Sequence, residues 1–249
     1  MMTEFKEDPP WDWKGSSFVF LIIMGVNFLF LSMIQLFMMT ATGWEFDLTG
    51  KLVTKGSLYG VWLGTIITEF IILGITIFAA VYIYRGKVQH FNFKLPSIKH
   101  FLIAIGGVFV AFFLDSIGGS LQEIITGTDP NQETYRAFFE TSNMFEVVIW
   151  ITVMMLVVAV SEEIFARGFV QKGFHNTCRS KKLPIVIGII IPSLLFALLH
   201  LDIYRFIPLF FVGLVLGCVY YFTADNSMAS AITHFLYNSI GIILYFQPA

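Results

Sequence analysis

The stretch MFEVVIWITVMMLVVAVSEEIFARGF, residues 144–169, decides the class of this protein. Its first seventeen residues carry a single charge, Glu146; two adjacent carboxylates, Glu162 and Glu163, and a guanidinium, Arg167, then follow. About 20 apolar residues are the length that crosses a bilayer as a helix. At the bilayer centre a charged side chain costs about 2.5–3.5 kcal/mol on insertion scales, so each one needs a partner or a purpose. Glu163 and Arg167 are four apart, stack on one helical face and can neutralise each other. Glu162 points about 100° away around the helix, and a like charge beside it adds repulsion. A salt bridge therefore accounts for two of the three charges and leaves Glu162 unexplained.

The rest of the chain agrees with a membrane setting. Of 249 residues, 57% are hydrophobic and 13% charged, with a mean hydropathy of +0.78. Soluble domains carry about 25% charged residues, and this much apolar surface cannot be hidden inside one soluble domain of this size. The net charge of −2 gives no basic surface for nucleic acid. Cys178 and Cys218 form no CxxC pair, so neither a disulfide nor thiol chemistry is expected.

Seven spans are predicted, at 16–40, 57–84, 100–118, 145–167, 183–200, 204–223 and 228–247. The first apolar run is too long for a signal-peptide core and is expected to remain as a span. The whole chain, 1–249, reads as a single all-α membrane domain, a polytopic helix bundle. Between spans three and four a polar loop, GSLQEIITGTDPNQETYRAFFETSN, holds a candidate amphipathic helix at 132–142. Lys6, Lys14, Arg85, Lys87, Lys94, Lys99, Lys172, Arg179, Lys181 and Lys182 fall on one side of this topology. Lys51, Lys55, Arg136 and Arg205 fall on the other. Positive residues accumulate in cytoplasmic loops, which predicts a cytoplasmic N-terminus and an extracytoplasmic C-terminus; the short chain reads as prokaryotic, for a bacterial cell membrane.

Later spans carry further polar groups. The run PSLLFALLH ends in His200, one turn after Phe196, and AITHFLYNS carries His234 and Asn238 four apart. A lone membrane histidine is often only a helix–helix hydrogen-bonding group. The informative feature is the set: two carboxylates, two imidazoles and an amide on three helices. Brought to one point in a low-dielectric cavity, they are the parts for activating water and stabilising an oxyanion. Glu69 and Asp115, in spans two and three, are candidates for lining the same cavity or capping an interhelical contact. Asn27 and Gln35 read as helix-packing groups. Trp11, Trp13 and Trp44 read as interface anchors.

EEIFAR fits the pattern EExxxR, FALLH fits FxxxH and HFLYN fits HxxxN, in that order. This resembles the CAAX-protease and bacteriocin-processing (CPBP, or Abi) family of intramembrane glutamic endopeptidases, which includes the Ras-converting type of CAAX prenyl endopeptidase. The resemblance covers about residues 145–240; spans one to three, 16–118, carry none of its motifs. It implies that Glu162 is the general base acting on a water and that His200 positions or polarises that water. It implies further that His234 and Asn238 form the oxyanion hole, supported by Glu163 and Arg167. The substrate so implied is a peptide or protein in or at the membrane, and no cofactor or metal is required. A divalent metal on Glu162, His200 and His234 is a second enzymatic reading, because carboxylate and imidazole suit zinc. Against it, the chain has no HExxH and Asn238 suits an oxyanion better than a metal. The rival of another class is a non-catalytic membrane protein that confers bacteriocin immunity or regulates a membrane partner.

One tension follows from the simple topology. At 1.5 Å per residue, His200 and His234 would differ in depth by about 15 Å. Two features would repair this: span four continuing past Arg167 to about His175, and the polar turn TADNS, 223–227, buried inside protein. Pro184 and Pro192 would bend span five. If the site forms, Glu162 and His200 should come within direct or water-bridged reach. His234 and Asn238 should face the same void, and Glu163 should point away with Arg167.

Overall fold

The computed structural model describes residues 8–244 apart from Thr49, Asn131 and Ser142, with Tyr135, Met155 and Leu156 described as backbone only. Seven helical rods occupy the seven expected spans. They are α1 (Trp13–Thr40), α2 (Leu58–Ile83), α3 (Ile98–Thr126), α5 (144–181), α6 (Ile187–Leu199), α7 (Phe206–Phe222) and α8 (Ser227–Leu244). The amphipathic helix α4, Gln132–Phe139, lies in the loop where it was expected. A two-stranded antiparallel hairpin, β1 (Glu45–Phe46) with β2 (Leu52–Thr54), was not anticipated. Lys6, Ser142 at the end of the expected 132–142 helix, and the last positions of span seven lie outside the described residues.

Local chemistry sets the helix starts. Asp12 accepts hydrogen bonds from the amides of Lys14 and Gly15, Ser97 from His100, and Asn143 from Glu146. Each satisfies amide donors that a helix N-terminus otherwise leaves free. Between helices in a membrane, small residues and polar contacts rather than apolar burial drive approach. A Cβ added at Gly118 of α3 would lie 2.7 Å from Pro208 Cα of α7, and one at Gly173 of α5 would lie 2.7 Å from Asp12 O before α1.

The lengths correct the simple topology and remove its tension. Among the described residues, α1, α2, α3 and α8 are the helices long and apolar enough to cross a membrane by length and composition. Rod α5 runs on to Lys181, past the expected His175, and is about 57 Å long at 1.5 Å per residue. By contrast α6, with 13 residues, is about 20 Å long, short of the roughly 30 Å apolar core. Pro184 lies in the turn before α6 rather than in it; Pro192 is inside. Gly188 near the start of α6 lies against His175 and Cys178 of α5. Running antiparallel to α5 from there, α6 ends with His200 at the depth of Glu162.

Rod α8 likewise starts inside the fold, because Ser227 abuts Gly168 of α5. The preceding turn is buried as expected: Thr223, Asp225, Asn226 and Ser227 are each at most 8% exposed. Ala224 and Asp225 both take left-handed backbone, φ 60° and 57°, which is unfavourable for an alanine. Asn92 Nδ2 holds the turn by donating to the carbonyls of Ala224 and Asp225, at 3.0 and 2.7 Å.

Two tryptophans correct the anchor reading. Trp11 is buried, donates to Phe169 O at 3.0 Å and stacks on the Phe169 ring. Trp44 is buried and donates to Ser57 O at 2.9 Å. Trp13 remains exposed.

Candidate active site

Rod α5 carries the two carboxylates at its middle, between two π-helical segments. Ala159–Glu163 is ordinary α-helix, while Met154–Val158 and Ile164–Gln171 are π-helical. Such wide turns are rare and concentrate at functional sites. Glu162 lines a cavity of about 920 Å³ together with His200. Its Oε2 is buried without a hydrogen-bond partner, which is costly for a carboxylate oxygen. The remaining walls come from α1 (Asn27, Gln35), α2 (Thr68, Glu69), the β1–β2 turn (Asp47, Leu48) and α4 (Phe138). The cavity thus runs from the hairpin end of the bundle to the depth of Glu162.

His200 caps α6, with Nδ1 2.8 Å from Phe196 O. A carbonyl only accepts, so Nδ1 carries the proton and Nε2 is left as an acceptor for a water proton. His234, on α8, has Nδ1 3.1 Å from Glu163 Oε1 and Nε2 3.9 Å from Glu162 Oε2. Glu163 therefore does not point away. Completely buried, it accepts from Arg167 Nε at 3.0 Å and from Ser230 Oγ at 2.5 Å as well as holding His234. The arrangement orients an imidazole through a buried carboxylate on one nitrogen and presents the other nitrogen to the site. Asn238 sits one turn further along α8, with Nδ2 3.8 Å from Met154 Sδ. Neither it nor His234 is among the residues lining the cavity.

Phe196, one turn before His200, was legible only as part of a motif. Its ring packs edge-on against His200 and His234, and the Arg167 guanidinium lies 5.0 Å from its centroid. A cation over an aromatic face is favourable where water is absent. This matters because Arg167 Nη2 is buried and has no hydrogen-bond partner.

Behind the site a buried polar ladder runs down α5. Arg167 Nη1 donates to Gln171 Oε1 at 3.4 Å, and Gln171 Nε2 lies 3.2 Å from His175 Nε2. His175 Nδ1 is 3.1 Å from Asp225 Oδ1, whose other oxygen meets Lys172 and Arg179. Glu163, Arg167, Gln171 and His175 are all 0% exposed. Burial works against the Asp225 charge. The His175 hydrogen bond and the charges of His175, Lys172 and Arg179 outweigh it and hold the carboxyl down at about 2.

Of the other polar suspects, Glu69 lines the same cavity as Glu162. Asp115 instead lines a separate cavity of about 540 Å³, with Arg136 and Arg205. Asn27 donates to Leu199 O at 2.9 Å and Gln35 to Val61 O at 3.4 Å, so both pack helices while also lining the main cavity. Among the described residues no group of three or more His, Cys, Asp or Glu is placed to hold a metal ion.

Residues 144–240 match the family model described as type II CAAX prenyl endopeptidase Rce1-like. This part of the chain is an Rce1-like domain. The match begins at the first residue of α5 and ends within α8, so it contains Glu162, His200, His234 and Asn238. Neither the curated proteins nor the solved structures gave a match. The match covers less than half of the chain; over that segment the chain is similar to CAAX-type endopeptidases, and its apolar rods suit an integral membrane protein. The cavity walls from α1, α2 and the hairpin lie outside the matched segment.

Proposed function

We propose that this protein is an intramembrane endopeptidase that hydrolyses a peptide bond with a water activated by Glu162. The supporting observation is the buried, unpartnered Glu162 Oε2, in a cavity shared with His200 and 3.9 Å from His234 Nε2. In this reading Glu162 takes a proton from water, and His200 Nε2 accepts the second water proton in a hydrogen bond that aims the oxygen. His234, with its Nδ1–H held by Glu163, acts with both ring nitrogens protonated and donates from Nε2 to the developing oxyanion. Asn238 joins it by exchanging its weak contact with Met154 for a bond to that oxygen. No covalent intermediate or cofactor takes part.

The substrate is a membrane-embedded or membrane-adjacent peptide. The excess of Lys and Arg at the α5 end of the bundle orients that end to the cytoplasm, so the hairpin end of the cavity opens outside. The short, prokaryotic-looking chain favours peptide or bacteriocin processing in a bacterial membrane over prenylated CAAX substrates. Mass spectrometry of a membrane-peptide library incubated with purified wild type and with Glu162→Gln tests the reading. Products that appear with wild type and vanish with the variant support it. No products from either leaves a binding role, immunity or regulation, as the function.

A further inference from the structure

The cavity that holds Glu162 is walled by hydrogen-bond acceptors. Its carboxyl groups are those of Asp47, Glu69 and Glu162, and no Lys or Arg is among the described residues that line it. His200 offers Nε2 as an acceptor, because Nδ1 gives its proton to Phe196 O. Ser32 and Thr68 spend their hydroxyl protons on the carbonyls of Asn27 and Thr65, at 2.9 and 2.8 Å. Asn27 and Gln35 each turn an amide N–H to a backbone carbonyl, that of Leu199 and that of Val61. Their side-chain oxygens make no hydrogen bond among the described residues. Glu69, on α2, is 7% exposed, and its Oε2 accepts from the hydroxyl of Ser161, the residue before Glu162. Its Oε1 makes no hydrogen bond among the described residues and is left to the cavity. Glu162 faces His234 Nε2 at 3.9 Å, whereas Glu69 meets no Lys, Arg or His among the described residues. A buried carboxylate oxygen without a partner is costly. The groups that suit such walls are those with donors only: an ammonium with three N–H bonds, or a guanidinium with five.

We propose that the cavity selects a peptide with a lysine or arginine close to the bond that is cut, and that Glu69 holds the cationic head of that side chain. The inference deepens the hydrolase reading above and rests on it. A charge-assisted bond to Glu69 Oε1 is stronger than one between neutral groups, and the arriving cation offsets the cost of burying the carboxylate. Long basic side chains lay their apolar stems along apolar surface while the head stays with polar groups. Leu31, Leu36 and Ile72 supply that surface on the cavity wall. Glu69 lies outside the matched segment, 144–240. Recognition then comes from α2, and the chemistry from α5, α6 and α8.

The test uses a library of N-acetylated membrane peptides, so that side chains alone supply the cation. Sites cut by wild type should carry lysine or arginine at one fixed position near the cut. Norleucine there keeps the stem of lysine and removes its charge. It should lower kcat/KM by about tenfold to 100-fold, what one hydrogen bond to a charged group is worth. In Glu69→Gln, whose amide oxygen can still accept from Ser161, the difference between the lysine and norleucine peptides should disappear. Binding is read separately by fluorescence in Glu162→Gln, with labelled library peptides in lysine and norleucine forms. The lysine preference should persist in that variant and be lost when Glu69→Gln is added to it. No fixed basic position, a preference that survives Glu69→Gln, or one that Glu162→Gln alone removes would overturn the inference. A wild type that cuts nothing would instead overturn the hydrolase reading, and the binding pairs would still report whether Glu69 selects the cation.

Discussion

Arg167 can be tested as a charge whose tolerance depends on one partner. Its side chain is fully buried, and Glu163, at 3.0 Å, is the one carboxylate it meets among the described residues. Gln171 and the Phe196 face are neutral supports. Two charge centres about 4 Å apart attract by about 4 kcal/mol at an effective dielectric constant near 20. Glu163→Gln keeps the shape and can still accept from His234, but it strands the guanidinium. Breaking a buried pair from one side costs about 3–5 kcal/mol. Arg167→Met strands Glu163, leaving it only His234 and Ser230, and should cost a similar amount. The double variant removes both charges, and its cost should fall to about 1–2 kcal/mol, since replacing a whole buried pair is often close to neutral. Reversible unfolding in mixed micelles, followed by circular dichroism, measures all three. The expected coupling energy, the two single costs less that of the double variant, is about 4–9 kcal/mol. Single costs that simply add, within about 0.5 kcal/mol, would refute the reasoning.

The Asp225 cluster makes a pH-dependent prediction. Its carboxyl is held at about 2 against an ordinary 3.8, so its stabilisation is present above about 4 and is lost as pH falls toward 2. Wild type should exceed Asp225→Asn by about 2 kcal/mol at neutral pH, with the gap closing below pH 4; a gap unchanged at pH 2.5 would contradict it. For orientation, single cysteines at Lys94 and Lys181 should resist a membrane-impermeant maleimide in intact cells and react once the membrane is opened. Labelling of either from outside would reverse the topology.

Most of the helices were legible because bilayer length and apolar runs leave little choice. The i,i+4 pairing of Glu163 with Arg167 was legible for the same local reason. Depth was not. KGFHNTCRSK, the last turns of α5, reads as a polar loop. It is helical because Asp225, fifty positions after His175, and Pro9 O and Trp11 O, which accept from Asn176, satisfy its polar side chains. No local pattern announces partners so far away. The contact of Glu163 with His234 spans 71 residues and that of Glu69 with Ser161 spans 92, so sequence identified these groups without giving their neighbours. Trp11 and Trp44 looked like interface anchors because an indole suits both settings. Their N–H groups found buried carbonyls instead.

The central claim is that Glu162 activates the hydrolytic water. The most direct measurement is kcat/KM for Glu162→Gln against wild type, in the same lipid, on a peptide that wild type cleaves, with unfolding midpoints confirming that both are folded. Because Glu162 Oε2 has no hydrogen bond to lose, the variant should be at least as stable as wild type. Its kcat/KM should nevertheless fall by about 100-fold to 10,000-fold, the range for losing a general base. A folded Glu162→Gln protein that cleaves the same bond within about tenfold of the wild-type rate would contradict the account.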